Sequence, residues 1–139
     1  STWIFAATVP AEAEVVIDNS EIHDFQWLSA REALAAHRAG ELPLMPPTYI
    51  TLCALARYRR AIDAVVGERT TPVPQVLPTL IPCESEGFVT VYEGDVAFGG
   101  GDPDTPGPRH RCELRDGSWH YEISDDAGAL PLYPLDDPE

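Results

Sequence analysis

The sequence contains no lysine: its nine basic residues are all arginine, against 23 acidic ones, for a formal net charge of −14. That field opposes binding to nucleic acid or an anionic membrane, because each phosphate contact needs a protein cation to replace a released counterion. Neither partner is expected. In so alanine-rich a chain the arginine bias reads as GC-rich coding before it reads as chemistry. No stretch approaches the ~18 uninterrupted apolar residues of a membrane helix, and no basic-then-apolar leader opens the chain, so a soluble, cytoplasmic protein is expected. Cysteine is sparse. Cys53, Cys83 and Cys112 are odd in number and lack C-x-x-C spacing, which argues against a disulfide framework and a zinc site.

What is present suffices for one domain. With 139 residues and 44% hydrophobic content, the chain can bury roughly two thirds of its unfolded surface. Thr2 to Val9 is β-branched and aromatic and stops at Pro10, which predicts a buried strand. Asp18-Asn19-Ser20 is turn chemistry, and Glu21 to Leu28 alternates as a second strand. Ser29 and Glu32 then form a capping box, Leu28 and Ala33 a hydrophobic staple, and Gly40 closes a helix of about three turns. A further helix is predicted from Pro47 or Thr48 to Gly67, with Leu52, Leu55, Ala56, Arg59, Ile62 and Val66 at helical spacing.

Beyond Gly67 the prolines at 72, 74, 78 and 82 forbid a helix and predict an extended segment over the surface. Phe88 to Tyr92 is a strand, and Gly99-Gly100-Gly101 belongs to a loop that has no phosphate-loop context. Asp116-Gly117 is a two-residue hairpin turn that sets a register. It pairs Leu114 with Trp119 and Cys112 with Tyr121 on one face, and Glu113 with His120 and Arg111 with Glu122 on the other.

Strand, acidic turn, strand ending Trp27-Leu28-Ser29, capped helix with Glu32-Ala33-Leu34 and His37, Gly40-Glu41-Leu42, Pro46-Pro47-Thr48 and a longer helix: this order resembles the second half of a Nudix hydrolase domain. The branch it looks like is that of the coenzyme A diphosphatases, and Phe5, Glu21 and the hairpin from His110-Arg111 to Trp119 and Tyr121 add to the match. The resemblance implies a mixed α/β (α+β) fold, a partial α/β/α sandwich with a mixed sheet, two helices and a C-terminal β-hairpin. Residues 1–67 would be the second half of the domain and 68–139 a Pro/Gly-rich extension packed on it.

The chemistry of that family lies in a Gly, Glu, Arg-Glu-x-x-Glu-Glu motif whose helical glutamates hold Mg²⁺ against a diphosphate. This sequence lacks it. The nearest string, Arg31 to Glu41, offers Glu32 alone within the helix, whereas hard divalent cations need several converging oxygens. The resemblance therefore implies a chain that begins after the catalytic helix: a fragment, one half of a split domain that docks with a box-bearing N-terminal polypeptide, or a degenerate interaction domain that self-associates. It implies Mg²⁺ as cofactor with its main ligands elsewhere, a nucleotide-type small molecule as substrate, and no turnover by this chain alone.

Candidate site residues follow from the same resemblance. Asp18 and Glu21 lie where some Nudix enzymes place an acid that helps bind metal, although a solvated turn is the plainer reading. Arg109, His110 and Arg111 would meet substrate phosphates, although Arg111 already faces Glu122 and a structural role competes. His37 reads as a helix-dipole partner, and Trp27 and Trp119 as core and sheet-face residues. The apolar connector from Leu42 to Pro47 reads as a lid over the sheet end, or else as the lining of an acyl or pantetheine pocket.

Overall fold

A β-prone run becomes a strand only when a neighbour completes its hydrogen-bond ladder, and residues 3–9 are paired with no strand among the described residues. The computed structural model describes residues 3–18, 20, 23–70, 73, 75–83 and 87–133. Over 3–9 and 23–28 the backbone is irregular where the sequence predicts strands. Trp3, Ile4 and Val9 are exposed, Phe5 is 82% exposed, and Trp27 is 69% exposed rather than core.

Among the described residues the first helix is announced at Ser29. Its side chain accepts from the Glu32 amide at 3.2 Å while the Glu32 carboxylate accepts from the Ser29 amide at 2.7 Å, so the capping box forms in full. It opens α1, Ala30–Arg38, which buries Ala33, Leu34 and His37. At the other end Gly40 takes φ 75°, and the amides of Gly40 and Glu41 bond back to the carbonyls of His37 and Ala36, each at 2.9 Å. This paired closure needs a residue free of Cβ crowding at the left-handed position.

The longer helix is divided. Residues Pro46–Ala56 form α2, with proline in its first turn, and Ala61–Glu68 form α3. Arg60 between them is extended, at φ −132° and ψ 143°, and clamps Asp63 with two hydrogen bonds. The corner is braced by Glu68, whose carboxylate accepts from Arg57 and from Tyr58 Oη. Arg57 also lies 4.7 Å over the Tyr58 ring. Gly67 permits this: a Cβ there would meet Tyr58 ring carbons at 2.8 and 2.9 Å.

Four antiparallel strands follow in the spatial order β1-β2-β3-β4: Thr79–Cys83, Gly87–Val91, His110–Arg115 and Ser118–Ile123. The proline-rich segment thus ends in an edge strand, and Pro82 is tolerated there because an edge has one side without a ladder. The β3–β4 register is the predicted one, with Leu114 opposite Trp119, Cys112 opposite Tyr121, Glu113 opposite His120 and Arg111 opposite Glu122. The turn has φ 51° at Asp116 and 79° at Gly117, the mirror-image geometry that Asp-Gly favours. A short 3-10 turn, Asp125–Ala127, is the last regular element among the described residues.

The class is α+β and is compatible with a partial Nudix-like domain; within the described residues the sheet is antiparallel and three α-helices are present. Each sheet face has its own core. Val89, Val91 and Ala97 pack with Ile81, Cys83 and Val96 on one. On the other, Tyr92, Cys112 and Trp119 pack with Leu44 of the connector, Tyr49 and Ile50 of α2, and Leu132. The connector is therefore packed on the hairpin.

Candidate functional site

Arg109, His110 and Arg111 stand at the start of β3, under the loop that leaves β2. Asp95, carried by that loop, is buried, and its carboxylate is where the Arg111 guanidinium and the His110 amide converge. One oxygen accepts from Arg111 Nη2 at 2.7 Å and from the Ala97 amide at 2.9 Å; the other accepts from Arg111 Nε and the His110 amide, both at 2.8 Å. The Arg111 side chain is only 4% exposed and the Asp95 side chain 0%. Burial by itself would raise the Asp95 carboxyl, but the Arg111 guanidinium and the two amides outweigh it and hold the carboxyl below its ordinary value.

Arg111 reaches further. Its Nη1 donates to the Pro103 carbonyl and to Glu113, each at 3.0 Å. Glu122, opposite Arg111 in register, instead pairs with Arg115 at 3.1 Å. A buried, bidentate pair of this type fixes the conformation of the loop it crosses.

His110 is likewise enclosed. Its Nδ1 lies 2.6 Å from the Glu93 carbonyl and its Nε2 2.9 Å from Tyr121 Oη, which in turn accepts the Leu132 amide at 2.9 Å. These contacts tie β3, the loop and the segment after β4 together. Arg109 differs: it is half-buried, and one guanidinium N–H donates to the Thr105 carbonyl at 2.9 Å. The three residues adjacent in sequence thus divide into two inward braces and one outward cation.

Asp18 accepts from the Ser20 amide at 3.0 Å as well as from the Ser20 hydroxyl, while Glu21 lies outside the described residues. Among the described residues no group of three or more histidine, cysteine, aspartate or glutamate side chains converges to hold a metal ion. A Mg²⁺ site demands near-octahedral oxygen coordination, and the described residues do not supply such a set.

His37 is no surface dipole partner. It is 3% exposed, its Nε2 accepts the Trp119 amide at 3.0 Å, and its Nδ1–H donates to the Leu42 carbonyl at 2.9 Å. Trp119 Nε1 donates to the Leu44 carbonyl at 2.7 Å. Cys112 is fully buried, and burial pushes its thiol up to about 12, so it serves as core.

Asp95 and Tyr121 organise this region. Tyr121 was visible in the hairpin pattern as a face residue. Asp95 carried one signal, an acid set among Gly94, Val96 and Ala97 where a surface loop would be more polar.

The chain is 26% identical over 111 residues to the acyl-coenzyme A diphosphatase NUDT19 of Xenopus laevis, a match over 78% of this chain and 29% of that protein. It spans less than a third of that relative's length. The similarity supports a Nudix-related region. No family model matches the chain, and no solved structure does. Among the described residues no helix is long and apolar enough to cross a membrane.

Proposed function

We propose that this chain is the C-terminal portion of a cytoplasmic Nudix-type hydrolase that cleaves nucleoside diphosphate-linked substrates, coenzyme A derivatives among them, and that it is inactive without a box-bearing half. The observation that carries this reading is the similarity over 111 residues to an acyl-coenzyme A diphosphatase. The exposed apolar residues of the N-terminal segment support it, because they are surface in need of a partner. In this arrangement the box-bearing half holds Mg²⁺, with Asp18 and Glu21 as supplementary acids. Arg109 meets a substrate phosphate, while His110 and Arg111 hold the loop that flanks it.

The test is hydrolysis of coenzyme A or ADP-ribose in Mg²⁺, followed by product chromatography, with the chain alone and mixed with a box-bearing N-terminal segment. Activity confined to the mixture is the expected result. Turnover by the chain alone, once freed of contaminating hydrolase, overturns it. A second reading, a non-catalytic Nudix-like domain that self-associates, is favoured by the same exposed side chains; a folded but inactive mixture together with concentration-dependent oligomers would establish it instead.

A further inference from the structure

The chain carries four histidines, and burial separates them. His23 and His120 are exposed, so water solvates either protonation state. His37 and His110 are each 3% exposed, and the groups that face their ring nitrogens decide whether the fold admits a further proton.

In both buried rings Nδ1–H donates to a carbonyl, that of Leu42 for His37 and of Glu93 for His110, which leaves Nε2 as the acceptor. The donors that meet Nε2 differ. His110 receives the Tyr121 hydroxyl, which can turn: its oxygen, with two lone pairs, then accepts from a protonated Nε2 while still accepting the Leu132 amide. His37 receives the Trp119 backbone amide, which is a donor only and is held in place by β4. A proton on that Nε2 would set N–H against N–H.

The surroundings of His37 do not compensate such a proton. From α2 it meets the Tyr49 ring at 5.8 Å, and burial raises that phenol, which stays neutral. On α1 the next residue is Arg38, a cation, while the Glu32 carboxylate is engaged by Ser29 at the far end. In the connector Glu41 is exposed and the ring's own partner is a carbonyl. On β4, His120 belongs to the opposite sheet face, across from Glu113. The helix C-terminus favours a positive charge, but that effect is weaker than the cost of a buried donor left facing a donor.

We infer that His37 is an acid-sensitive clasp: its neutral ring binds α1 and the connector to the outer edge of β4, and protonation releases them and uncovers the Trp119 amide. The inference stands apart from the Nudix reading. The clasp is complete above the ordinary imidazole value, about 6.5. It is lost as pH falls below that value, because the released ring takes up a proton that the clasped contact excludes.

The test is amide hydrogen exchange of the full chain, read by NMR and corrected for the intrinsic pH dependence of exchange. Protection of the Trp119 amide should fall about tenfold between about pH 7.5 and about pH 5.5, a window above the ordinary carboxylate range. The Tyr92 amide, bonded to the His110 carbonyl at 2.8 Å, should hold its protection. His37→Gln keeps a donor and an acceptor but has no proton to gain, so its Trp119 protection should not vary with pH. Constant Trp119 protection in the parent chain overturns the proposal. An equal loss at Tyr92 overturns it as well, since the sheet would then be opening as a whole, and the same loss in His37→Gln does so by placing the proton elsewhere.

Discussion

The backbone amide of Trp119 donates to Nε2 of His37 at 3.0 Å, joining residues 82 positions apart. The other ring nitrogen donates to the Leu42 carbonyl, so one imidazole ties the end of α1, the connector and the outer edge of β4. It also covers an amide that would otherwise be open for edge pairing. Replacing His37 with alanine strands a buried donor and a buried acceptor and should cost about 3 kcal/mol. Glutamine, with one donor and one acceptor group, should cost about 1 kcal/mol. Urea midpoints at unchanged slope measure both.

Asp95 should govern the acid limb of stability. Its carboxyl lies below its ordinary value in the folded chain because Arg111 and two amides overcome burial. A depressed carboxyl stabilises the fold fully above its unfolded-state value, about 4, and that contribution is lost as pH falls through the lower folded value. Glu113, held low against burial by Arg115 and Arg111, acts in the same direction. Asp95→Asn leaves the buried Arg111 with Glu113 as its remaining counterion and should cost about 3 kcal/mol at neutral pH. Urea unfolding as a function of pH should then show a shallower acid decline in Asp95→Asn than in the parent chain, with a residue of slope from Glu113.

Thr90 offers a substitution of opposite sign. It is 2% exposed in β2, and its Oγ1 is the buried side-chain polar atom without a hydrogen-bond partner among the described residues. Desolvation of that hydroxyl is uncompensated. Valine keeps the β-branched shape and removes the unmet polar atom, so Thr90→Val should stabilise by about 1 kcal/mol, seen as a higher urea midpoint.

What the sequence made legible was local. Ser29 and Glu32, Gly40, and Asp116-Gly117 act on residues within a few positions, and each formed as its chemistry dictates. The misses are questions of partnership. Thr2 to Val9 has strand propensity, but pairing is supplied by other chain, and none pairs with the described part of this run. The α2–α3 break carries no proline or glycine at residues 57–60, and the apolar repeat runs through it, so only the long-range brace to Glu68 reveals the corner. At the candidate site, Arg111 was read against Glu122 from register, yet its partner is Asp95, brought over by a loop whose path has no periodic signature.

The exposed N-terminal side chains allow the reading of this chain as one part of a larger domain to be tested through stability rather than activity. Phe5 and Trp3 are 82% and 69% exposed, so their removal takes little from the core. Trp3→Ser and Phe5→Ser should each change the unfolding free energy by less than about 0.5 kcal/mol, as surface substitutions do. If these residues are an interface, the same substitutions should weaken association with a box-bearing segment by about tenfold or more, since truncating a buried aromatic anchor commonly costs over 1 kcal/mol. Parallel urea unfolding and calorimetric binding separate the two quantities: a destabilised monomer would place these rings in its own core, and unchanged affinity would remove them from the interface.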